Sequence, residues 1–86
     1  MMIPIGYDSF IQKETVVLIL PPNSSSAKRL IRSAEEGQRL FDTTSGHRTR
    51  GVLVTKDRFV ILTPIQPETL RVRFNKFEPG EGKEGP

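Results

Sequence analysis

Residues 42–51, DTTSGHRTRG, gather the only histidine of the chain, arginines at 48 and 50, and glycines at 46 and 51. Residues of these types serve three chemistries: a nucleotide-phosphate loop, a nucleophilic triad, or a basic turn that grips a polyanion. The first needs Lys and then Ser or Thr directly after the second glycine. Val52 and Leu53 stand there instead, which leaves no cation for terminal phosphates and no hydroxyl for magnesium. A triad would draw on Ser45, His47 and Asp42. Neighbours on one loop rarely reach that geometry, because the base must be oriented by a separate buried carboxylate. No Gly-x-Ser-x-Gly elbow is present, and a chain of 86 residues leaves little room for an enclosed pocket. The plain alternative for His47 is an exposed turn residue.

The third chemistry fits the residue types. The planar guanidinium groups of Arg48 and Arg50 make bidentate, charge-assisted bonds to phosphate oxygens, and Thr44, Ser45 and Thr49 add hydroxyls. Gly46 allows the backbone to turn sharply. If the following strand begins near Thr49, Arg48 and Arg50 share one of its faces. A solvated turn whose arginines make surface ion pairs, worth under about 1 kcal/mol each, fits the composition equally well. A second basic cluster, Lys28, Arg29 and Arg32, carries the same two readings.

The elements that must position these groups follow from periodicity. YDSFIQK (7–13) and TVVLIL (15–20) read as two strands joined tightly at Lys13-Glu14, the second of them buried. Ser24 is placed to cap a helix whose apolar face is Ala27, Leu30, Ile31 and Ala34, and Gly37 to end it. QRLFD (38–42) reads as a short strand. GVLVT (51–55) and RFVILT (58–63) read as a hairpin turning at Lys56-Asp57, with a loop longer than two residues because that dipeptide is not of the Asn-Gly type. PETLRVRF (67–74) is ambiguous: Pro67 favours a helix start, while Leu70, Val72 and Phe74 alternate as in a strand. The expectation is a small α+β domain over residues 1–74, an antiparallel or mixed sheet with one main helix. Residues 75–86, rich in Gly, Pro and Glu, read as a disordered tail.

Composition narrows the class further. The chain has no cysteine and one histidine, so disulfides, thiolate metal sites and cysteine nucleophiles are excluded, and no cofactor or metal is expected. No apolar run approaches a membrane span, and the N-terminus lacks the pattern of a cleavable signal. The expectation is a cytoplasmic protein with no membrane partner and no small-molecule substrate. Residues 1–74 hold 11 Lys/Arg against 7 Asp/Glu, and residues 75–86 hold 2 against 3. A mildly basic body is compatible with nucleic acid without being diagnostic of it. So small a domain buries only about 60 % of its unfolded surface, and association between copies is a common remedy.

The order of residues adds a resemblance. AKRLI, DTTSGHRTRGVLV, VIL and IQPETL occur at spacings that resemble the RemA-like family of bacterial extracellular-matrix regulators, from about Gly6 to Phe74. The most specific blocks are Asp42 to Arg50, similar to a D-A-T-x-G-R-R-T-R pattern, and Gln66-Pro67-Glu68-Thr69. The resemblance implies a fold like the LytTR DNA-binding module. It also implies a nucleoid-associated, non-enzymatic transcription regulator of biofilm-matrix genes that binds double-stranded DNA as a homo-oligomeric ring. Its arginines carry over to Arg48 and Arg50. His47 stands where another arginine is expected, and Thr15 stands at a further arginine position, with Lys13 two residues earlier on what reads as the same strand face. A neutral imidazole removes a phosphate cation near neutral pH and makes binding acid-favoured. Lys13 would supply a point charge rather than a fork.

The DNA contacts expected are therefore Arg48 and Arg50, followed by His47, Lys13, Lys28, Arg29 and Arg32. The rival class is an assembly scaffold whose arginines form salt bridges between subunits. An RNA-binding module ranks third, because Tyr7, Phe10, Phe41, Phe59, Phe74 and Phe77 do not pair along a strand as in a stacking platform.

Overall fold

A computed structural model describes residues 1–76. Two short strands open the chain, β1 (Met2–Pro4) and β2 (Phe10–Gln12), and pair antiparallel as a separate hairpin. A 3-10 turn at Lys13–Thr15 leads into β3 (Val16–Leu20), followed by α1 (Ser25–Glu36) and β4 (Leu40–Asp42). The strands β5 (Gly51–Thr55) and β6 (Val60–Thr63) and the helix α2 (Pro67–Lys76) complete the order. The main sheet runs β3-β5-β6-β4, with β4 parallel to β6 and the other neighbours antiparallel. The domain is thus α+β with a mixed sheet, as expected, but it has two helices of similar length rather than one main helix.

Both faces of the central strands are covered. Val52, Val54 and Val60 pack with Ala27 and Ala34 of α1, while Leu53 and Ile61 point to the opposite face and pack with Ile5 and Leu70. This explains why β5 reads as a continuous apolar run: alternate residues belong to two different cores. The equally apolar β3 was expected to be buried and is not. It lies at the sheet edge, with Val17 54 % and Leu18 46 % exposed, because composition alone cannot distinguish a central strand from an edge.

The expected pairing of residues 7–13 with 15–20 also fails. Only Phe10–Gln12 is strand, and its partner is the N-terminal β1, which Pro4 disguised. The sheet changes at the 3-10 turn, so Lys13 and Thr15 do not share a strand face.

Helix α1 follows the rules of its ends. The Ser24 hydroxyl accepts from the Ala27 N–H at 3.1 Å. At the far end the Arg39 N–H donates to Ala34 O at 2.7 Å and the Gln38 N–H to Glu35 O at 3.3 Å, a Schellman closure. Gly37 is the C-cap, yet the left-handed residue is Gln38, at φ 57°. The ambiguous C-terminal segment is helical because Leu70 and Phe74, four residues apart, both pack into the second core, leaving Val72 exposed. Asn75 and Lys76 are its last residues, against the expectation of disorder from 75. The rest of the expected tail lies outside the described residues. The β5–β6 turn holds four residues between the strands and places Arg58 at φ 69°, consistent with a loop longer than two.

Candidate functional site

Strand register decides what meets the basic turn. Leu20 lies opposite Val52, Asp42 beside Leu62, and Gly51 opposite Thr63. The C-terminal ends of β3, β4 and β6 and the start of β5 therefore gather at one end of the sheet. Residues 43–50 must cross the end of β6 to carry the chain from β4 to β5. The segments entering α1 and α2 leave from the same end. Three stretches far apart in sequence are brought together there by topology alone.

The turn itself is held from inside. The Asp42 carboxylate accepts from the Thr44 N–H at 2.9 Å and from the Thr44 hydroxyl at 2.6 Å. Those two bonds, the hydroxyl first, hold the carboxyl below its ordinary range. Thr43 Oγ1 donates to Leu62 O at 2.7 Å and the Arg50 N–H to Thr63 O at 2.9 Å, tying both ends of the loop to β6. Ser45 and Gly46 follow one another in the left-handed region, at φ 53° and 83°, and reverse the chain. Gly51 is required for another reason: a Cβ there would come 2.4 Å from Ile65 O.

Arg48, Thr49 and Arg50 line a cleft of about 260 Å³ with Pro22 and Asn23, which lead into α1, and Gln66 and Pro67, which begin α2. No carboxylate of the described residues lines it. Among the described residues neither guanidinium has a hydrogen bond or an ion pair. The larger grooves elsewhere have mainly apolar walls.

The structure does not bring all the expected contacts to this cleft. His47 sits on the exposed outer side of the turn, its ring against Tyr7 with centroids 4.6 Å apart. With the Asp42 carboxylate bonded to Thr44, the Ser45, His47 and Asp42 combination is not assembled as a triad. Thr44 is buried and spends its hydroxyl on Asp42, so it is not offered to a ligand as the sequence reading supposed. Lys28, Arg29 and Arg32 are exposed on α1 but do not line the cleft. Lys13 is half-buried in the 3-10 turn and lies outside it too.

Asn23, Gln66 and Tyr7 were missed as site residues. PPN read only as a strand stop, and a lone Tyr on a loop carries no spacing signal. Gln66 did lie in one of the two blocks that carried the family resemblance.

The family model described as RemA-like, extracellular matrix regulatory protein A-like, matches residues 2–74. The chain belongs to the RemA-like family. Two relatives carry the name "putative regulatory protein". One, from a Synechococcus species, is 42 % identical over 83 residues, covering 96 % of this chain and 93 % of its own. The other, from Bacillus cytotoxicus, is 40 % identical over 74 residues, covering 86 % of this chain and 85 % of its own. A Bacillus mycoides relative matches to the same extent. The match spans the turn, the cleft and α2 as far as Phe74, and these names mark the chain as a regulator. No helix among the described residues is long and apolar enough to cross a membrane.

Proposed function

We propose that this RemA-like chain is a non-enzymatic, cytoplasmic transcription regulator that grips the backbone of double-stranded DNA through Arg48 and Arg50. One observation carries the reading: two guanidiniums without a partner among the described residues share a polar cleft that no carboxylate of those residues lines. Arg39, Arg71 and Arg73, by contrast, are each committed inside the domain. A cation with no internal role is available to a phosphate without first breaking a bond. His47 and the exposed α1 cations Lys28, Arg29 and Arg32 extend the surface, with Lys13 a peripheral contributor.

A single copy neutralises too few phosphates for tight binding, since affinity grows with their number. Repetition of the patch in a homo-oligomeric ring supplies the avidity. Both edges of the main sheet, β3 and β4, are unpaired among the described residues, and the β3 edge exposes Val17 and Leu18 beside an apolar groove of about 390 Å³. An uncovered apolar edge is what association between copies would protect. The family match favours matrix or biofilm genes as targets and a LytTR-like mode of docking.

The unpaired sheet edges equally favour a second reading, a scaffold in which Arg48 and Arg50 bridge subunits. Replacing both arginines by alanine separates the two. In the DNA-binding reading, fluorescence anisotropy of a bendable A·T-rich duplex loses its response while the mass by light scattering is unchanged. In the scaffold reading the mass itself falls.

A further inference from the structure

We infer that Asn23 and Gln66 read base edges, those of adenine above all, beside the arginines that hold the phosphate backbone. The inference rests on the DNA-binding reading above and deepens it, dividing the cleft into groups that anchor and groups that select.

The division follows from side-chain chemistry. Arg48 and Arg50 offer donors only, which suit the phosphate oxygens of any sequence. The amides of Asn23 and Gln66 offer a donor and an acceptor side by side, the complement of adenine N6 and N7 in the major groove. Thr49, the other polar side chain of the cleft, is half-buried and carries a single hydroxyl that discriminates poorly between bases.

Each amide is presented rather than spent. Asn23 lies in the turn before α1, where the Ser24 N–H and hydroxyl both donate to Pro21 O, at 3.4 and 3.1 Å. The Ser24 hydroxyl also accepts from the Ala27 N–H, so the helix is capped without Asn23. Gln66 serves α2 with its backbone, its carbonyl accepting from the Leu70 N–H at 3.0 Å. Among the described residues neither side-chain amide has a hydrogen bond, and both residues are exposed. Prolines stiffen the chain beside them: Pro22 has a fixed φ just before Asn23, and Pro67 confines Gln66 to extended conformations. Gly51 completes the seating. Without a Cβ it lets Ile65 O close over the start of β5, which carries Gln66 to the cleft that Arg50 lines. An amide on a stiff backbone loses little freedom on binding, which favours a selective contact over a loose one.

The test is selection from a randomised duplex pool, followed by salt-dependent anisotropy on the enriched site. Wild type should enrich adenine at discrete positions. Asn23→Ala and Gln66→Ala should each relax a different one of them, by roughly fivefold or more, with the salt slope unchanged. Placing 7-deazaadenine, which lacks the N7 acceptor, at such a position should weaken wild type roughly three- to tenfold and leave the matching variant unaffected. Arg50→Ala, measured at low salt, should do the converse, lowering the salt slope by at least about 0.9 while keeping the enriched sequence. Amide variants that still enrich the wild-type sequence, or that weaken every duplex equally, overturn the inference while the DNA reading stands. So does a wild type that binds duplexes but enriches no adenine. No binding of any duplex by wild type, even at low salt, removes the DNA reading and this inference with it.

Discussion

The arginines of the 42–51 turn and those packed around the helices are the same residue type put to opposite uses. Arg39 donates to Arg58 O at 2.8 Å and to Ser33 O at 3.3 Å, and so closes the end of α1 onto the β5–β6 turn. Arg73 donates to Pro4 O at 2.9 Å, fastening α2 to the N-terminal hairpin, and Arg71 pairs with Glu68 on its own helix. Arg48 and Arg50 have no such bonds among the described residues and face a shared cleft. A basic residue that completes a backbone contact serves the fold, and one held in place by its loop without a partner among the described residues is left available to a ligand. Neither composition nor charge distinguishes them; only the partners do.

The largest effect should come from breaking the free pair. If the DNA-binding proposal holds, Arg48→Ala with Arg50→Ala should remove two phosphate contacts from each subunit, and in a multivalent complex the loss should be repeated around the assembly. Duplex binding should disappear at moderate salt. Thermal stability should stay within about 0.5 kcal/mol of wild type, the usual range for surface substitutions outside a packed or bonded site. A large fall in melting temperature would mean that the two arginines are structural after all, and would erase the comparison.

Arg73→Ala should give the mirror image. A charged donor lost from a part-buried carbonyl costs about 1–2 kcal/mol, which lowers the melting temperature by several degrees in a domain of this size. DNA affinity, measured well below that temperature, should be nearly unchanged. If binding falls as far as in the turn variant, the distinction between structural and ligand-facing arginines fails from the other side.

Legibility in the sequence follows the same division between local and non-local causes. Helix α1 was legible because Ser24, Ala27, Leu30, Ile31 and Ala34 act within a few positions of one another. The basic turn was legible as a cluster, and the sharp reversal at Gly46 was as well. The buried reading of β3 failed because edge or centre is a property of sheet order, which 16–20 does not encode alone. The pairing of β2 failed for a like reason, its partner being the unassuming MIP at the terminus. Asn23 and Gln66 joined the cleft, and Tyr7 joined His47, only through the register that gathers strand ends. The internal use of Thr44 was hidden because an Asx-type bond two residues long looks the same in sequence as a free hydroxyl.

A smaller effect should come from the device that shapes the turn. Asp42→Ala removes both acceptors for Thr44 and should weaken duplex binding several-fold, by loosening the loop that carries Arg48 and Arg50, with a smaller thermal loss than Arg73→Ala. Asp42→Asn retains an acceptor oxygen and should fall between. The pH dependence has a definite sign. The folded-state pKa of Asp42 is lowered, so its contribution is fully present above the ordinary carboxylate value and is lost as pH falls through the lower folded value. Acid should thus loosen the turn in wild type and add nothing in Asp42→Asn, as read by the melting temperature across the carboxylate range.

The smallest effect separates the two basic groups. Lys28, Arg29 and Arg32 are exposed on α1 but lie outside the cleft, so on the DNA-binding proposal they should act by long-range attraction rather than by seated contacts. Replacing all three by glutamine should slow association and reduce the salt slope without abolishing the complex, because the cleft and its arginines remain intact. Stopped-flow association rates at two salt concentrations make the comparison. If the dissociation rate rises instead, and by as much as in the turn variant, then α1 carries seated phosphate contacts of its own, and the interface is broader than the end of the sheet.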